Sequence, residues 1–172
     1  MSWSLANSKN NESAKIRWEL VPYLRGRVLD VGCGAYKAFP QFIGVDNGHH
    51  WGMRGVDIRS EASDLSLLAS NSCDTCYSSH LIEHVNYKDV PAMLSEWFRV
   101  TKHGGHVIVY APDEDEYPKV GDPYANTDHK WKEKNEKFVE ALEQVPCNWD
   151  MIDFQKRNQN DEYSLFFVVK KL

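Results

Sequence analysis

The segment VLDVGCG, residues 28–34, constrains the fold more than any other part of the chain. An apolar run ends in Asp30 and Val31, then breaks into a Gly-x-Gly turn. Such a run suits a strand buried on both faces, and glycines let the backbone turn sharply and approach a ligand closely. FIGVD, residues 42–46, repeats the pattern of an apolar strand closed by a carboxylate. Polar residues at the ends of successive buried strands are expected of an open α/β sheet, which binds its ligands beyond the carboxyl ends of its strands.

The rest of the chain alternates accordingly. Glu12 to Leu24 places Ile16, Leu20 and Leu24 at helical spacing, with Pro22 late enough to kink or end the helix. Val56 to Arg59 reads as a weak strand and Cys73 to Ser78 as a fourth. Pro91 to Thr101 is helical, with Met93, Leu94, Trp97 and Phe98 on one stripe and Gly104-Gly105 as its stop. His106 to Tyr110 is a fifth strand. Ala111 to Asn126, with three prolines and five acidic residues, is a long loop. Asp128 to Val145 is helical, and Trp149 to Gln155 and Tyr163 to Val169 form a closing strand pair. This order predicts an α/β, doubly wound, mainly parallel sheet with a C-terminal antiparallel strand pair. Residues 1–11, rich in Ser and Asn, are expected to be a loose arm before a single domain over 12–172.

Charge and composition narrow the function. A net charge of -5 disfavours phosphate backbones, so nucleic acid is not the expected partner. No apolar run approaches the roughly 18 residues of a membrane span. The polar start lacks an apolar signal core, and the four cysteines are sparse, so a reducing, cytoplasmic setting with free thiols is expected. The dinucleotide fingerprint would need a third glycine where Lys37 stands, which argues against pyrophosphate gripping and hydride transfer. Asp46 is placed to accept both hydroxyl protons of a ribose.

Several histidine and cysteine patterns bear on metal chemistry, and no metal site is expected. His80-x-x-Glu83-His84 matches an inverted zinc-protease pattern, but that mechanism needs a helix and a further ligand, whereas these residues follow a strand. Cys73-x-x-Cys76 lies within a buried strand. His49-His50-Trp51 and His103-x-x-His106 have no partners at ligand spacing.

Taken together, VLDVGCG, FIGVD, Asp64-Leu65, SSHLIEHV (78–85) and FRVTKHGGHVIVYAPD (98–113) resemble, in order, the class I S-adenosylmethionine-dependent methyltransferases, and especially the small methyltransferase-11-like group with its Rossmann-like sheet. The resemblance implies S-adenosylmethionine as cofactor and S-adenosylhomocysteine as product. It implies that Asp30, Gly32, Cys33 and Gly34 line the methionine end, that Asp46 binds the ribose with Asn47 beside it, and that Asp64 and the Leu65 amide meet the adenine. Ser79 and His80 would sit near the sulfonium, with His80 and His84 as the catalytic candidates. His84 is the expected general base where the acceptor must lose a proton, because imidazole titrates near neutrality.

Departures from the family pattern matter as well. Only Ala35 to Gln41, with Pro40 among them, separates the Gly turn from the second strand, where the family places a helix. The capping insertion is also missing, so the N-terminal helix and the 111–126 loop must cover the acceptor. Tyr110, Asp113, Tyr117, Tyr124 and His129 are the candidates there. A small-molecule or sugar acceptor is expected; the segment AKIRWELVPYLRGRVLDVGCG resembles methyltransferases that accompany glycan-building enzymes. The alternative is a catalytically silent cofactor-binding subunit, its thin face covered by a partner chain or a second copy.

Overall fold

The apolar runs all become strands. In the computed structural model, which describes residues 12–50, 52–118, 122–131, 135–158 and 162–172, these are β1 (Val28–Val31), β2 (Ile43–Asp46), β3 (Ile58–Arg59), β4 (Cys73–Ser79), β5 (Thr101–Pro112), β6 (Trp149–Arg157) and β7 (Ser164–Lys171). They form one sheet in the order β3-β2-β1-β4-β5-β7-β6. The first five strands run parallel, and β7 pairs antiparallel with both β5 and β6. The chain therefore reverses its direction of growth at β1, and the ends of β1 and β4 flank the switch point where such sheets bind ligands. β1 is buried along its whole length, whereas β6, at the edge, is more exposed at every second residue. The expected arm, residues 1–11, lies outside the described residues.

Helices cover the two faces unequally. On one face, α3 (Val90–Val100) and α4 (Glu136–Glu143) bury Met93, Leu94, Trp97, Phe98, Phe138 and Leu142 against the sheet. Phe138 stacks on Phe167 of β7 at 3.8 Å. Among the described residues the other face carries α1 (Glu12–Lys15), α2 (Arg17–Leu20), the 3-10 turn over 21–23 and the loop after β1. Ile16, Leu20, Ala38 and Phe42 pack there on Tyr77, Ile108 and Phe166.

Four expectations are corrected. The N-terminal helix is two short pieces, because Ile16 (φ -104°, ψ 8°) interrupts it and Pro22 draws residues 21–23 into a tighter 3-10 turn. α3 is ended by Thr101, not by Gly104-Gly105. Thr101 is already extended and pairs with Cys73, its hydroxyl donating to the Trp97 carbonyl, so the glycines lie inside β5. Of the helix expected over Asp128 to Val145, residues 136–143 are helical, and 127–128 form a turn. β5 also extends to Pro112, which shortens the expected loop.

No helix fills residues 32–42, as the seven-residue spacing and Pro40 imply. Gly44 lets the replacement loops close in, since a Cβ there would stand 2.4 Å from the Gly55 carbonyl oxygen.

Candidate active site

The Gly turn after β1 opens the site. Gly32 adopts φ +74°, and a Cβ there would stand 2.7 Å from the Leu81 side chain. The Gly34 N–H donates to Asp46 Oδ2 (3.0 Å) and the Gly48 N–H to Asp46 Oδ1 (2.7 Å). Asp46 thus clamps the loops after β1 and β2, and each oxygen keeps lone-pair capacity for a ribose hydroxyl. Asn47 beside it bonds Glu61 through Nδ2 (3.1 Å) and lines the same space.

Two cavities meet at this turn. One, of about 780 Å³, lies between the turn, the end of β4 and the start of β7. The other, of about 610 Å³, lies over Asp46, Asn47 and residues 60–63. Gly32, His80, His84 and Asn126 line both. An elongated ligand can therefore cross the Gly turn, with one end at Asp46 and the other near Ser79.

β4 delivers the polar groups at the seam. Ser78 is buried, its hydroxyl donating to the Val31 carbonyl (2.8 Å), which ties β4 to β1. Ser79 Oγ and His80 Nε2 are buried and have no hydrogen-bond partner among the described residues. His80 sits at φ +48°, a conformation that costs energy for any residue but glycine, and its N–H donates to the Tyr110 carbonyl (2.7 Å). The resulting bend turns the chain back into residues 82–84, a 3-10 turn that carries Glu83 and His84. His84 Nδ1 lies 3.2 Å from the Asp128 carbonyl, which leaves Nε2 directed at Glu83 Oε1, 3.9 Å away.

Not every expected residue reaches a cavity. Asp30 is 1% exposed and accepts the Ala38 N–H at 2.7 Å, anchoring the loop that replaces the first helix. Burial pushes its pKa up to about 7, against the opposing pull of the Ala38 bond and Lys37. Cys33 lines the larger cavity, but burial, reinforced by Asp30 and Asp46, pushes its thiol up to about 12, so it stays protonated. Asp64 turns its carboxylate to the Ser66 N–H (3.1 Å), and the Leu65 amide donates to Glu96 Oε2 (3.1 Å). Residues 60–63, rather than Asp64 and Leu65, wall the second cavity.

The acceptor-side candidates divide similarly. Tyr117 and His129 line the larger cavity, with rings 5.0 Å apart. Burial holds the His129 imidazole below its usual range, although Glu83 pulls the other way. Tyr110 is buried, donates to Glu162 (2.6 Å) and sets its ring against His80. Asp113 is buried and bonded to Asn135, which makes it a loop staple, and Tyr124 stands 86% exposed. The sequence reading missed Glu12, Glu162 and Asn126 as lining residues. Nothing in their local pattern marks them, because each arrives from a different part of the chain. Glu83 was noticed only within the protease-like pattern.

Residues 29–109 match the methyltransferase domain family. This segment is a methyltransferase domain. The matched residues run from β1 to β5 and so include the Gly turn, Asp46 and the end of β4. No curated protein matches the chain. Solved structures resemble it along almost its whole length. An S-adenosylmethionine-dependent methyltransferase from Archaeoglobus fulgidus has a TM-score of 0.71 at 18% identity, with 92% of each chain covered. A protein from Pyrococcus horikoshii OT3 has 0.71 at 16%, covering 97% of this chain and 93% of that one. A methyltransferase from Mesorhizobium loti has 0.69 at 15%, covering 94% and 98%. At such identities the likeness carries the fold, and the family match carries the chemistry. The matched segment is of the methyltransferase-11 type, which makes the chain an enzyme whose methyl donor is S-adenosylmethionine.

The residues present fit that donor. A carboxylate with spare acceptor capacity ends β2, a glycine turn opens the floor, and the Ser79 hydroxyl and His80 imidazole lie at the seam. When bound, the donor supplies an activated methyl group on a sulfonium. The protein's share is to hold an acceptor in line with it.

Proposed function

We propose that the enzyme methylates a hydroxyl-bearing small molecule, with a sugar as the best-fitting class, in the larger cavity. The carrying observation is that cavity: about 780 Å³, adjoining the seam at Gly32 and His80, and rimmed by the carboxylates of Glu12, Glu83 and Glu162. Carboxylates accept hydrogen bonds from sugar hydroxyls, and Lys15 and Arg54 on the same lining can meet the phosphates of a nucleotide-linked sugar. A pocket of this size suits one small ligand. A role in surface-glycan synthesis in a reducing, cytoplasmic setting agrees with this pocket and with the four free thiols.

In this reading catalysis is mainly positioning, and an imidazole at the seam, His80 or His84, takes the acceptor proton. The silent-subunit alternative draws its support from the missing helix after β1.

Calorimetric titration with S-adenosylmethionine and S-adenosylhomocysteine, comparing wild type with Asp46→Ala, is the first test. Saturable binding is expected, weakened at least tenfold in the variant, which loses both the ribose acceptor and the clamp on Gly34 and Gly48. Transfer of labelled methyl to free or nucleotide-linked sugars, with none to nucleic acid, is the expected second result. Cofactor binding without transfer to any acceptor pool would favour the silent-subunit reading.

A further inference from the structure

The seam between the cavities holds a buried carboxylate that the methyl-transfer reading leaves unexplained. Glu83 is 1% exposed, yet neither carboxylate oxygen has a hydrogen-bond partner among the described residues. A buried carboxylate without hydrogen bonds is costly unless it is protonated, paired with a cation or bound to a metal, and the groups that face Glu83 Oε1 are two imidazoles, His80 Nδ1 at 3.5 Å and His84 Nε2 at 3.9 Å. Its backbone is firmly placed: the Glu83 carbonyl accepts the N–H groups of Lys130 (2.7 Å) and Trp131 (3.0 Å). That pair of bonds brings the 126–131 segment onto the 3-10 turn and carries His129 to the same spot.

As a result, one ligand atom each from Glu83, His84 and His129 lies within 4.8 Å of the other two. The rings of His84 and His129 meet edge to face, 5.1 Å apart.

We propose that Glu83, His84 and His129 bind a divalent transition-metal ion of the zinc type, which holds the acceptor hydroxyl. A metal at about 2.1 Å from each ligand draws them to within about 4 Å of one another, which small side-chain rotations provide. The set is two imidazoles and one carboxylate, which suits zinc, cobalt or iron(II) better than magnesium. His84 is already oriented for the task. Its Nδ1 faces the Asp128 carbonyl, the outer contact that fixes a ligating tautomer and frees Nε2 for the ion. Three protein ligands leave open positions, and these face the larger cavity, which Glu83, His84 and His129 all line.

This deepens the proposed function and rests on it for the chemistry. The ion binds the acceptor oxygen and lowers the pKa of its O–H. The proton passes to His80, whose Nδ1 lies 3.5 Å from Glu83 Oε1, outside the three-ligand set. The oxygen's electron pair forms the new O–C bond while the methyl–sulfur bond breaks. Sulfur keeps that pair and becomes a neutral thioether, and the ion is unchanged.

The test reads metal binding separately from methyl transfer. Untagged full-length protein is stripped with chelator and titrated with Zn2+ by calorimetry and with Co2+ by visible absorption, without donor or acceptor. One equivalent is expected with a micromolar or tighter Kd, weakened at least tenfold in Glu83→Gln and His129→Ala and unchanged in His103→Ala, a surface control. Millimolar Mg2+ should not compete. If a cluster variant fails to fold, proton NMR of the Co2+-loaded wild type decides, because paramagnetically shifted imidazole signals must come from His84 and His129. Absence of binding, binding indifferent to both cluster variants, or shifted signals from other histidines would overturn the proposal. Metal binding without methyl transfer to any acceptor would leave the site standing and remove the methyl-transfer reading built on it. Where transfer is seen, metal removal should lower it at least 100-fold while donor affinity stays unchanged.

Discussion

A carboxylate at the end of a buried strand can serve a ligand or serve the fold, and Asp30 and Asp46 divide those tasks. Asp46 remains partly open above its two amide bonds, whereas Asp30 is sealed beneath the loop it anchors. Burial raises the folded-state pKa of Asp30 from 3.8 to about 7. A raised pKa means the folded state holds its proton where the unfolded state has lost it. The stabilisation is therefore complete below pH 3.8 and is lost as pH rises to about 7. Asp30→Asn keeps an oxygen to accept the Ala38 N–H and carries no charge. Its melting temperature relative to wild type should climb between about pH 4 and 7 and level off above. At about 1.4 kcal/mol per pKa unit, the upper bound of the gain is on the order of 4 kcal/mol. A difference independent of pH would show that Asp30 is not protonated on folding.

At the scale of elements, the segment between β3 and β4 has no helix and depends on borrowed bonds from α3. Glu96 Oε2 accepts the Leu65 N–H (3.1 Å), Arg99 donates to the Leu65 carbonyl (2.8 Å) and the Leu68 carbonyl (2.9 Å), and Trp97 Nε1 donates to the Ala62 carbonyl (2.9 Å). Glu96 and Arg99 also bond each other, at 2.7 Å. Consecutive turns of one helix thus hold the wall of the second cavity. Glu96→Ala removes the Leu65 acceptor and unpairs Arg99, and should cost about 1–3 kcal/mol. Donor affinity should fall by a few-fold through the loosened 60–63 wall, and amide exchange should quicken over residues 60–68. Unchanged exchange there would mean the wall stands without α3.

This staple also shows where sequence reading stops. The Gly turn, Asp46 and the ends of β4 and β5 were legible because a strand and its terminus are written in consecutive residues. Glu96 could be read only as the solvent side of a helix, since its partner is 31 residues away. The same limit hid Glu83: its neighbours in sequence gave a familiar pattern, but His129 joins it only through the Lys130 and Trp131 amides. The expected stop of α3 failed for a related reason. Gly104-Gly105 is a strong local signal, yet strand pairing of Thr101 with Cys73 won first.

For the whole molecule, the question is how so few helices close one face and still define an acceptor cavity. Arg157, near the end of β6, joins three parts of that face. Its guanidinium bonds both oxygens of Glu19 on α2 and reaches Glu162 Oε1 at 2.7 Å, and Glu162 in turn accepts from Tyr110 of β5 at 2.6 Å. Burial alone would raise the pKa of Glu162, but the bonds from Arg157 and Tyr110 outweigh it and hold the carboxyl below its usual range. The network is half-buried, so it exceeds an exposed ion pair in worth while remaining screened by solvent. Arg157→Ala should cost about 1–3 kcal/mol, a fall in Tm of about 2–10 °C for a chain of this length. Because α1 and Glu162 rim the larger cavity, acceptor KM should rise while donor affinity is preserved, and Arg157→Lys should restore part of both losses. Limited proteolysis should cut the variant earlier around residues 12–24. Equal weakening of donor and acceptor would instead mean that the covering face is a property of the whole sheet and that Arg157 does not hold the N-terminal helices over the acceptor.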